Sequence, residues 1–353
     1  MPSWKDKLNG DPIPWLLEED ETQPAIRYYT LRDILGRDEN DSEVKAAKAA
    51  IMASGPVPAI LAAQQPEGYW DKAGSSYGPK YRGTQWALVF MAQLGADGAD
   101  PRIRAGCEYL LSHCVASNGA LSWNGTPSGF EHCMAGNMGA ALIDFGWLED
   151  HRLQTAMEWL AQTITGEGVA DASNRLTNKR YYKSGNSAPL FVCSMNANLP
   201  CAWGAIKAMI ALSKVPPAQR AENMQEAIRQ GVDFLLSHDP AVADYPFENQ
   251  TWRRQKWGNR PSSSWFKFGY PIGYITDVLQ NLEVLAALGQ AQNPHLANAL
   301  MLALSKQDEQ GRWKLEYTYN GRTWVDIEKK GQPSKWVTLR ALRVLKAAYP
   351  ETG

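Results

Sequence analysis

The sequence predicts an all-α protein, a ring or stack of helical hairpins in two concentric layers. The first sign is a recurring unit: an apolar helical stretch ends in Leu-Gly or Phe-Gly, an Asp/Asn-rich turn follows, and a second helix begins. Its copies are LGADGADPRI at 94–103, FGWLEDHRL at 145–153 and LGQAQNPHL at 288–296, with a looser LSKVPPAQR at 212–220. Repetition at a pitch of tens of residues sets the architecture ahead of any local assignment. The second sign is that two kinds of helix alternate, and the third is that short and long connections alternate with them.

Taken in order, residues 1–23 form an N-terminal arm, and six segments rich in small and aromatic residues read as inner helices: 24–36, 83–95, 131–146, 199–213, 269–289 and 335–349. Little charge falls in their middles, so they are covered on most sides. Between them lie amphipathic outer helices at 42–65, 101–114, 150–164, 218–237 and 293–307. In 218–237, Ala227, Ile228, Val232, Leu235 and Leu236 recur at helical spacing while Glu222, Glu226, Arg229 and Gln230 fall between them. YYTLRDIL at 28–35 resembles WVTLRALRVL at 336–345, as suits the first and last inner helices of a ring that closes on itself.

The turns from inner to outer helix are short, with Gly as a helix stop and Pro or Asp at the next start. The connections back are long, at 66–82, 115–130, 165–198, 238–268 and 308–334. Long irregular connections in a compact domain are usually functional. They emerge where the inner helices begin, an end that also presents free backbone N–H groups. The site is therefore expected there, with the loops 165–198, 238–268 and 308–334 at the functional end of one unit spanning 1–353, and the short-turn end is expected to be inert.

Composition narrows the classes. A hydrophobic fraction of 44% and a charged fraction of 21% are those of a globular chain. A net charge of −1 leaves no electrostatic footprint for nucleic acid. The N-terminal stretch has no apolar core of a signal peptide, and runs such as ALVFMAQL at 87–94 are too short to span a bilayer, so a cytoplasmic protein is expected. Five cysteines, an odd number, do not read as a disulfide framework. Fourteen Trp and 14 Tyr either fill a large core or line a cavity for an apolar or stackable ligand.

QPEGYW at 65–70 and QDEQGRW at 307–313 resemble the Gln…Gly-x-Trp repeats of the squalene–hopene cyclase and protein prenyltransferase superfamily. The resemblance implies an (α/α)6 toroid, six inner helices around a cavity and about six outer ones. It also implies that Trp70 and Trp313 are structural, tying outer helices together. The catalytic signatures do not carry over. Asp97 with Asp100, and Asp326 with Glu328, do not match the Asp-x-Asp-Asp acid of the cyclases. VDIE at 325–328 lacks the zinc-binding cysteine of the prenyltransferases, and Trp336 stands where their histidine would fall. HCMAGN, PCAWGAIK, SWFKFGYP and KWVTLRALRVLK are similar instead to stand-alone bacterial proteins with prenyltransferase/squalene-oxidase-type repeats.

Two constellations stand out. Cys133 and Cys201 begin neighbouring inner helices and Cys193 precedes Cys201, so with His132 they form a candidate tetrahedral zinc set. The competing reading is three small buried thiols, which the irregular Cys-x7-Cys spacing favours. Cys107 and Cys114 lie on an outer helix. The second constellation is an aromatic and charged lining: Trp86, Trp203, Tyr270, Tyr274 and Trp336 in first helical turns, Trp265 and Phe268 just before one, and Lys207, Asp277, Glu283 and Arg340 on covered helices. Buried charges pair or face a wet cavity. Asp277 is thus either a general acid or base, or one member of a structural ion-pair network with Lys207 or Arg340. The other four histidines, His113, His151, His238 and His295, occupy helix ends and turns and read as structural.

Three functions fit this pattern. One is a lyase or transferase acting on an isoprenoid-like or other apolar substrate, with aromatic faces stabilising positive charge. Another is a non-catalytic toroid that captures a small apolar or amphipathic ligand. The third is a carbohydrate-active (α/α)6 enzyme, which would need paired carboxylates in one cleft.

Overall fold

The computed structural model describes residues 3–167, 187–246 and 263–351. The arm holds a 3-10 turn (Trp4–Lys7) and α1 (Ile13–Leu16). Helix α2 (Pro24–Tyr29) continues into a π-helical turn (Thr30–Ile34), followed by α3 (Ser42–Ala53) and α4 (Pro56–Leu61). Then come α5 (Thr84–Gln93), α6 (Pro101–Cys114), α7 (His132–Asp144) and α8 (His151–Thr165). A small antiparallel sheet, β1 (Ser187–Ala188), β2 (Val192–Cys193) and β3 (Leu199–Pro200), leads into α9 (Ala202–Lys214) and α10 (Glu222–Leu236). The chain closes with α11 (Val278–Ala287), α12 (Ala297–Leu304) and α13 (Lys335–Ala348).

The architecture is all-α, with α2 and its π turn, α5, α7, α9, α11 and α13 inside. Neighbours pack in the order α5, α7, α9, α11, α13, α2, while α3, α6, α8, α10 and α12 cover them from outside. The inner helices run in parallel. His132 lies against Gly204, Gly136 against Lys207, and Gly139 against Ala211, so α7 and α9 advance together. Tyr29 meets Trp336 and Asp33 meets Arg343 in the same sense. The arm fills the sixth outer place by packing on α13, where the Trp4 N–H donates to the carbonyl of Tyr349 (2.9 Å).

The repeated turns have a simple physical basis. Gly36, Gly95, Gly146 and Gly289 take positive φ just after inner segments, the left-handed stop a helix C-terminus favours. The next helix opens on Asp41, Asp100 or Asp150, or a 3-10 turn on Asn293. Each side chain accepts from an N–H two residues on, which satisfies an orphan donor of the helix start.

The Gln…Gly-x-Trp segments also act alike. The Trp70 indole N–H donates to Ile60 and that of Trp313 to Ala303, the last turns of α4 and α12. The backbone N–H of each Trp donates to a threonine hydroxyl on the next inner helix, Thr84 or Thr338. The working glutamine of the first copy is Gln64, one residue before the stretch quoted from the sequence. Gln64 pairs with Trp70 as Gln307 pairs with Trp313, and its amide reaches the Arg102 carbonyl on α6. Val115 pairs with Leu121 at the same spacing, so VASNGAL is a third copy of the turn without either signature residue.

Two expected helices are corrected. The stretch 42–65 breaks at Ser54–Gly55 into α3 and α4, because Gly55 sits at φ 73 with backbone and Pro24 packed against it. Ser42–Leu61 is long and apolar enough by composition alone to cross a membrane, but this break divides it and Val44, Ile51, Ile60 and Leu61 face the core. The stretch 269–289 is helical only from Val278. Residues 269–276 form an irregular inner strap with a cis Tyr270–Pro271 bond. The Gln93 amide at the end of α5 clamps the strap, donating to the carbonyl of Ile272 (2.6 Å) and accepting from its N–H (2.8 Å). The strap closes the bore, with one cavity on each side of it.

Candidate ligand site at the loop end

On the loop side lies a cavity of about 450 Å³ where α7 and α9 begin. Trp203 enters it from the first turn of α9, Tyr274 from the strap, and Trp265 from the 3-10 turn Ser263–Phe266. Trp203 and Tyr274 meet edge to face with ring centroids 5.7 Å apart, the geometry aromatic quadrupoles prefer. Trp265 is fixed by its indole N–H, which donates to Pro240 (2.8 Å). Tyr245 stands beside Trp265, and its hydroxyl donates to Leu235 (2.6 Å). Tyr81, Phe191 and Tyr317 complete the aromatic wall, while Glu131, Lys80 and Arg322 supply charge. Burial pushes the Tyr274 hydroxyl far up and the Lys80 ammonium down.

The cysteines belong to this cavity. Cys133, Cys193 and Cys201 line it, half-buried, together with His132. They do not assemble as the expected zinc set: among the described residues, no group of three or more His, Cys, Asp or Glu side chains is placed to hold a metal ion. The His132 ring instead hydrogen-bonds the Thr163 hydroxyl (3.2 Å) on α8, and burial holds its pKa down at about 3. The Cys133 thiol is directed to Glu131 (3.6 Å), and burial drives its pKa up. Cys193 and Cys201 are neighbours in the wall and titrate together. The interaction with Cys201 holds Cys193 below the ordinary thiol range and, together with burial, raises Cys201.

Asp277 lines neither cavity, which removes the geometric basis for an acid or base there. It caps α11 by accepting from the Gln280 N–H (2.7 Å), accepts from Gly269 (3.1 Å), and forms a buried ion pair with Arg340 (3.1 Å). Glu283 supplies the second carboxylate to Arg340 (2.6 Å). This is the ion-pair network the sequence offered as the alternative, but Lys207 stands apart from it. Its ammonium donates to Gln280 Oε1 (2.5 Å), and burial lowers its pKa to about 7.

The remaining candidates scatter. Trp86 is buried against Tyr77 and Tyr81, with its indole N–H donating to Tyr77. Phe268 packs under Lys306 on the outer side. Tyr270 stacks flat on Trp336 (4.1 Å, 7°), and both line the cavity on the far side of the strap together with Arg340. Sequence reasoning missed Tyr81, Phe191, Tyr245 and Tyr317, which sit in long connections without periodicity. Their one signal was the aromatic content of those connections. The parts of the loops 165–198 and 238–268 at 168–186 and 247–262 lie outside the described residues.

No family model and no curated protein matches this chain. Among solved structures, a variant of the type II terpene cyclase MstE from Scytonema in complex with geranylgeranyl dihydroxybenzoate is similar at 16% identity. The match covers 94% of this chain and 88% of that one, with a TM-score of 0.44. The apo form of MstE matches at 14% identity over 83% of this chain and 96% of that one (TM-score 0.32). A protein from Actinoplanes matches at 15% identity over 92% and 90% (TM-score 0.41).

Proposed function

We propose that the protein binds a small apolar or amphipathic, isoprenoid-like ligand in the loop-end cavity. The observation that carries this reading is the aromatic wall of Trp203, Trp265, Tyr245 and Tyr274 around about 450 Å³. Ligand sites hold roughly 300–1,000 Å³ and are mostly apolar with a few placed polar groups. Glu131, Lys80 and Arg322 are such groups and suit the polar end of an amphipathic molecule. The hairpin that supplies Phe191 and Cys193 also leaves Leu190, Met195 and Leu199 exposed, an apolar approach to the cavity. With Asp277 locked in its ion pair, binding is favoured over cyclisation initiated by a protonating acid.

Farnesol titrated into the purified protein is expected to quench tryptophan fluorescence saturably. Trp203→Ala and Tyr274→Ala should each weaken binding about tenfold, the scale of losing a packed aromatic contact. Wild-type protein that binds neither farnesol nor geranylgeraniol and carries no copurified lipid by native mass spectrometry would overturn the reading.

A second, catalytic reading is favoured by Cys193, a half-buried thiol that lines the cavity beside Cys201, which lowers its pKa. Reactive cysteines are partly exposed thiols with stabilised thiolates. Iodoacetamide should label Cys193 ahead of the other four cysteines, with a rate midpoint below that of an ordinary thiol that rises in Cys201→Ala. Uniform labelling of all cysteines would rule this reading out.

A further inference from the structure

The cavity beyond the strap opens at the end where the inner helices stop, and at about 810 Å³ it is the larger of the two. It exists because the inner helices carry small residues toward the bore in their C-terminal halves: Ala92 on α5, Ala140 and Ala141 on α7, and Ala287 on α11. Leucines at these places would fill it. The wall is polar yet electrically balanced, with five acidic and five basic side chains. Most of that charge is already spoken for. Asp33 pairs with Arg32 (2.5 Å) and Arg343 (2.5 Å), Asp144 with Lys214 (2.6 Å), and Glu283 with Arg340 (2.6 Å).

Apart from Asp97, which is exposed and has no ion pair among the described residues, what remains for a ligand is neutral. Gln280 is 7% exposed, and its carbonyl oxygen accepts from Lys207 and Thr276 while its amide N–H groups have no hydrogen bond among the described residues. Asn137 is 8% exposed and spends its amide on Gly273 (3.4 Å), which leaves its carbonyl oxygen without a donor among the described residues. The Tyr29 hydroxyl likewise has no hydrogen bond among the described residues, and burial raises its pKa to about 12, so it stays a neutral donor and acceptor. These polar groups open onto the chamber, where water or a ligand hydroxyl can meet them. The π-helical turn Thr30–Ile34 brings Arg32 and Asp33 to the same wall, and such turns concentrate at functional sites.

We infer that the chamber at the short-turn end is a second ligand site, for a small neutral polyhydroxylated molecule of mono- or disaccharide size. Hydroxyl groups both donate and accept, as Gln280, Asn137 and Tyr29 together require. The C–H faces of a sugar ring match the apolar Val89, Ala92 and Ala140 surface of the same chamber. An anion would find no unpaired cation among the described side chains of the wall, and the one carboxylate outside the ion pairs, Asp97, is exposed to solvent. The site is separated from the loop-end cavity by the strap and does not depend on the ligand proposed there.

The test titrates the full chain with glucose, maltose, trehalose and myo-inositol, and with succinate and putrescine as charged probes, read by calorimetry. At least one neutral polyol should bind saturably and both charged probes should not. Tyr29→Phe should weaken that polyol about fivefold, the effect of one hydrogen bond. Ala140→Phe, which fills the chamber, should abolish it. Both variants should keep wild-type circular dichroism and a single cooperative urea transition, which separates loss of the site from loss of the fold. Binding of succinate or putrescine, binding of no polyol, or polyol binding untouched by both variants overturns the inference.

Discussion

His132 illustrates how one buried ring sets a pH dependence. It sits 2% exposed in the first turn of α7, and burial keeps it neutral to about pH 3, against 6.5 in the open chain. Below 6.5 the unfolded chain takes up a proton that the folded chain refuses. Its contribution is therefore complete above pH 6.5 and drains away as the pH falls toward 3. Between pH 7 and pH 5.5 His132 alone should remove about 1.3 kcal/mol of stability in urea unfolding, read as wild type against His132→Gln because Glu328, raised by burial to about 7, acts in the opposite sense over the same window. His132→Gln should remove that share of the pH dependence, whereas an unchanged slope would mean that the ring is protonated in the fold. Residue-scale reasoning from sequence went part of the way here. It saw that Lys207, Asp277 and Arg340 fall on covered helices and must pair or face water. Which of the two applies depends on cross-ring neighbours. Arg340 receives Asp277 and Glu283 at the start and middle of α11, while the Lys207 ammonium donates to the neutral Gln280 and has no ion pair among the described residues. The cysteines gave the same lesson. Their convergence on one cavity followed from helix starts, but metal binding needs side-chain directions, and the His132 ring is directed to Thr163.

At the scale of elements, the most legible features were those written in backbone chemistry. Leu-Gly followed by Asp or Asn marks a left-handed stop and a side-chain cap, and both occur where the repeat placed them. The third Trp-type turn at 115–121 escaped notice because Val115 and Leu121 preserve the pairing and not the signature. What survives is the glycine: Gly68, Gly119 and Gly311 occupy the same place in the three turns, each at positive φ. The strap escaped for the opposite reason, since GYPIGYITD carries apolar residues at helix-like intervals and its partners, Gln93 and Trp336, are remote in sequence. The contact between α7 and α9 is set by glycine as well. A methyl group on Gly136 would meet the Lys207 backbone at 2.3 Å, so the two helices pack at backbone distance. Gly136→Ala must push them apart and should cost about 1–3 kcal/mol, the usual range for overpacking. Gly146→Ala is the control for added volume, since that turn has open space around it, although its positive φ of 79 carries a smaller strain of its own. Equal unfolding midpoints for Gly136→Ala and wild type would refute the close packing.

For the molecule as a whole, the ring has to be closed, and the arm does much of that closing. Trp4 is 1% exposed, the Gln307 amide donates to the Lys7 carbonyl (3.1 Å), and the Gln23 amide donates to Ile327 (2.5 Å) while accepting from the Trp336 indole (2.7 Å). The Gln23–Trp336 bond joins the first inner helix to the last, the relation suggested by YYTLRDIL and WVTLRALRVL, and the other two tie the arm and that junction to the connection between α12 and α13. The sequence also showed which end carries the long connections, and the aromatic cavity lies there. It did not show that the opposite end is hollow. Periodicity says that Ala140 and Ala287 are on covered faces, but it cannot separate a face toward a neighbouring helix from a face toward the bore. If closure is cooperative, deleting residues 1–12 removes the Trp4 anchor from α13 and weakens every inner contact that depends on α13 and α2. The helical signal should then unfold in one transition at a lower midpoint, by about 3–5 kcal/mol as for a lost buried tryptophan. Hydrogen exchange should quicken in α5 and α7 as well as in α13. Were the arm only a local strap, exchange would quicken at α13 alone and the global midpoint would stay where it was. The comparison of α7 with α13 therefore decides between a ring that stands or falls together and a stack of hairpins that unfold one by one.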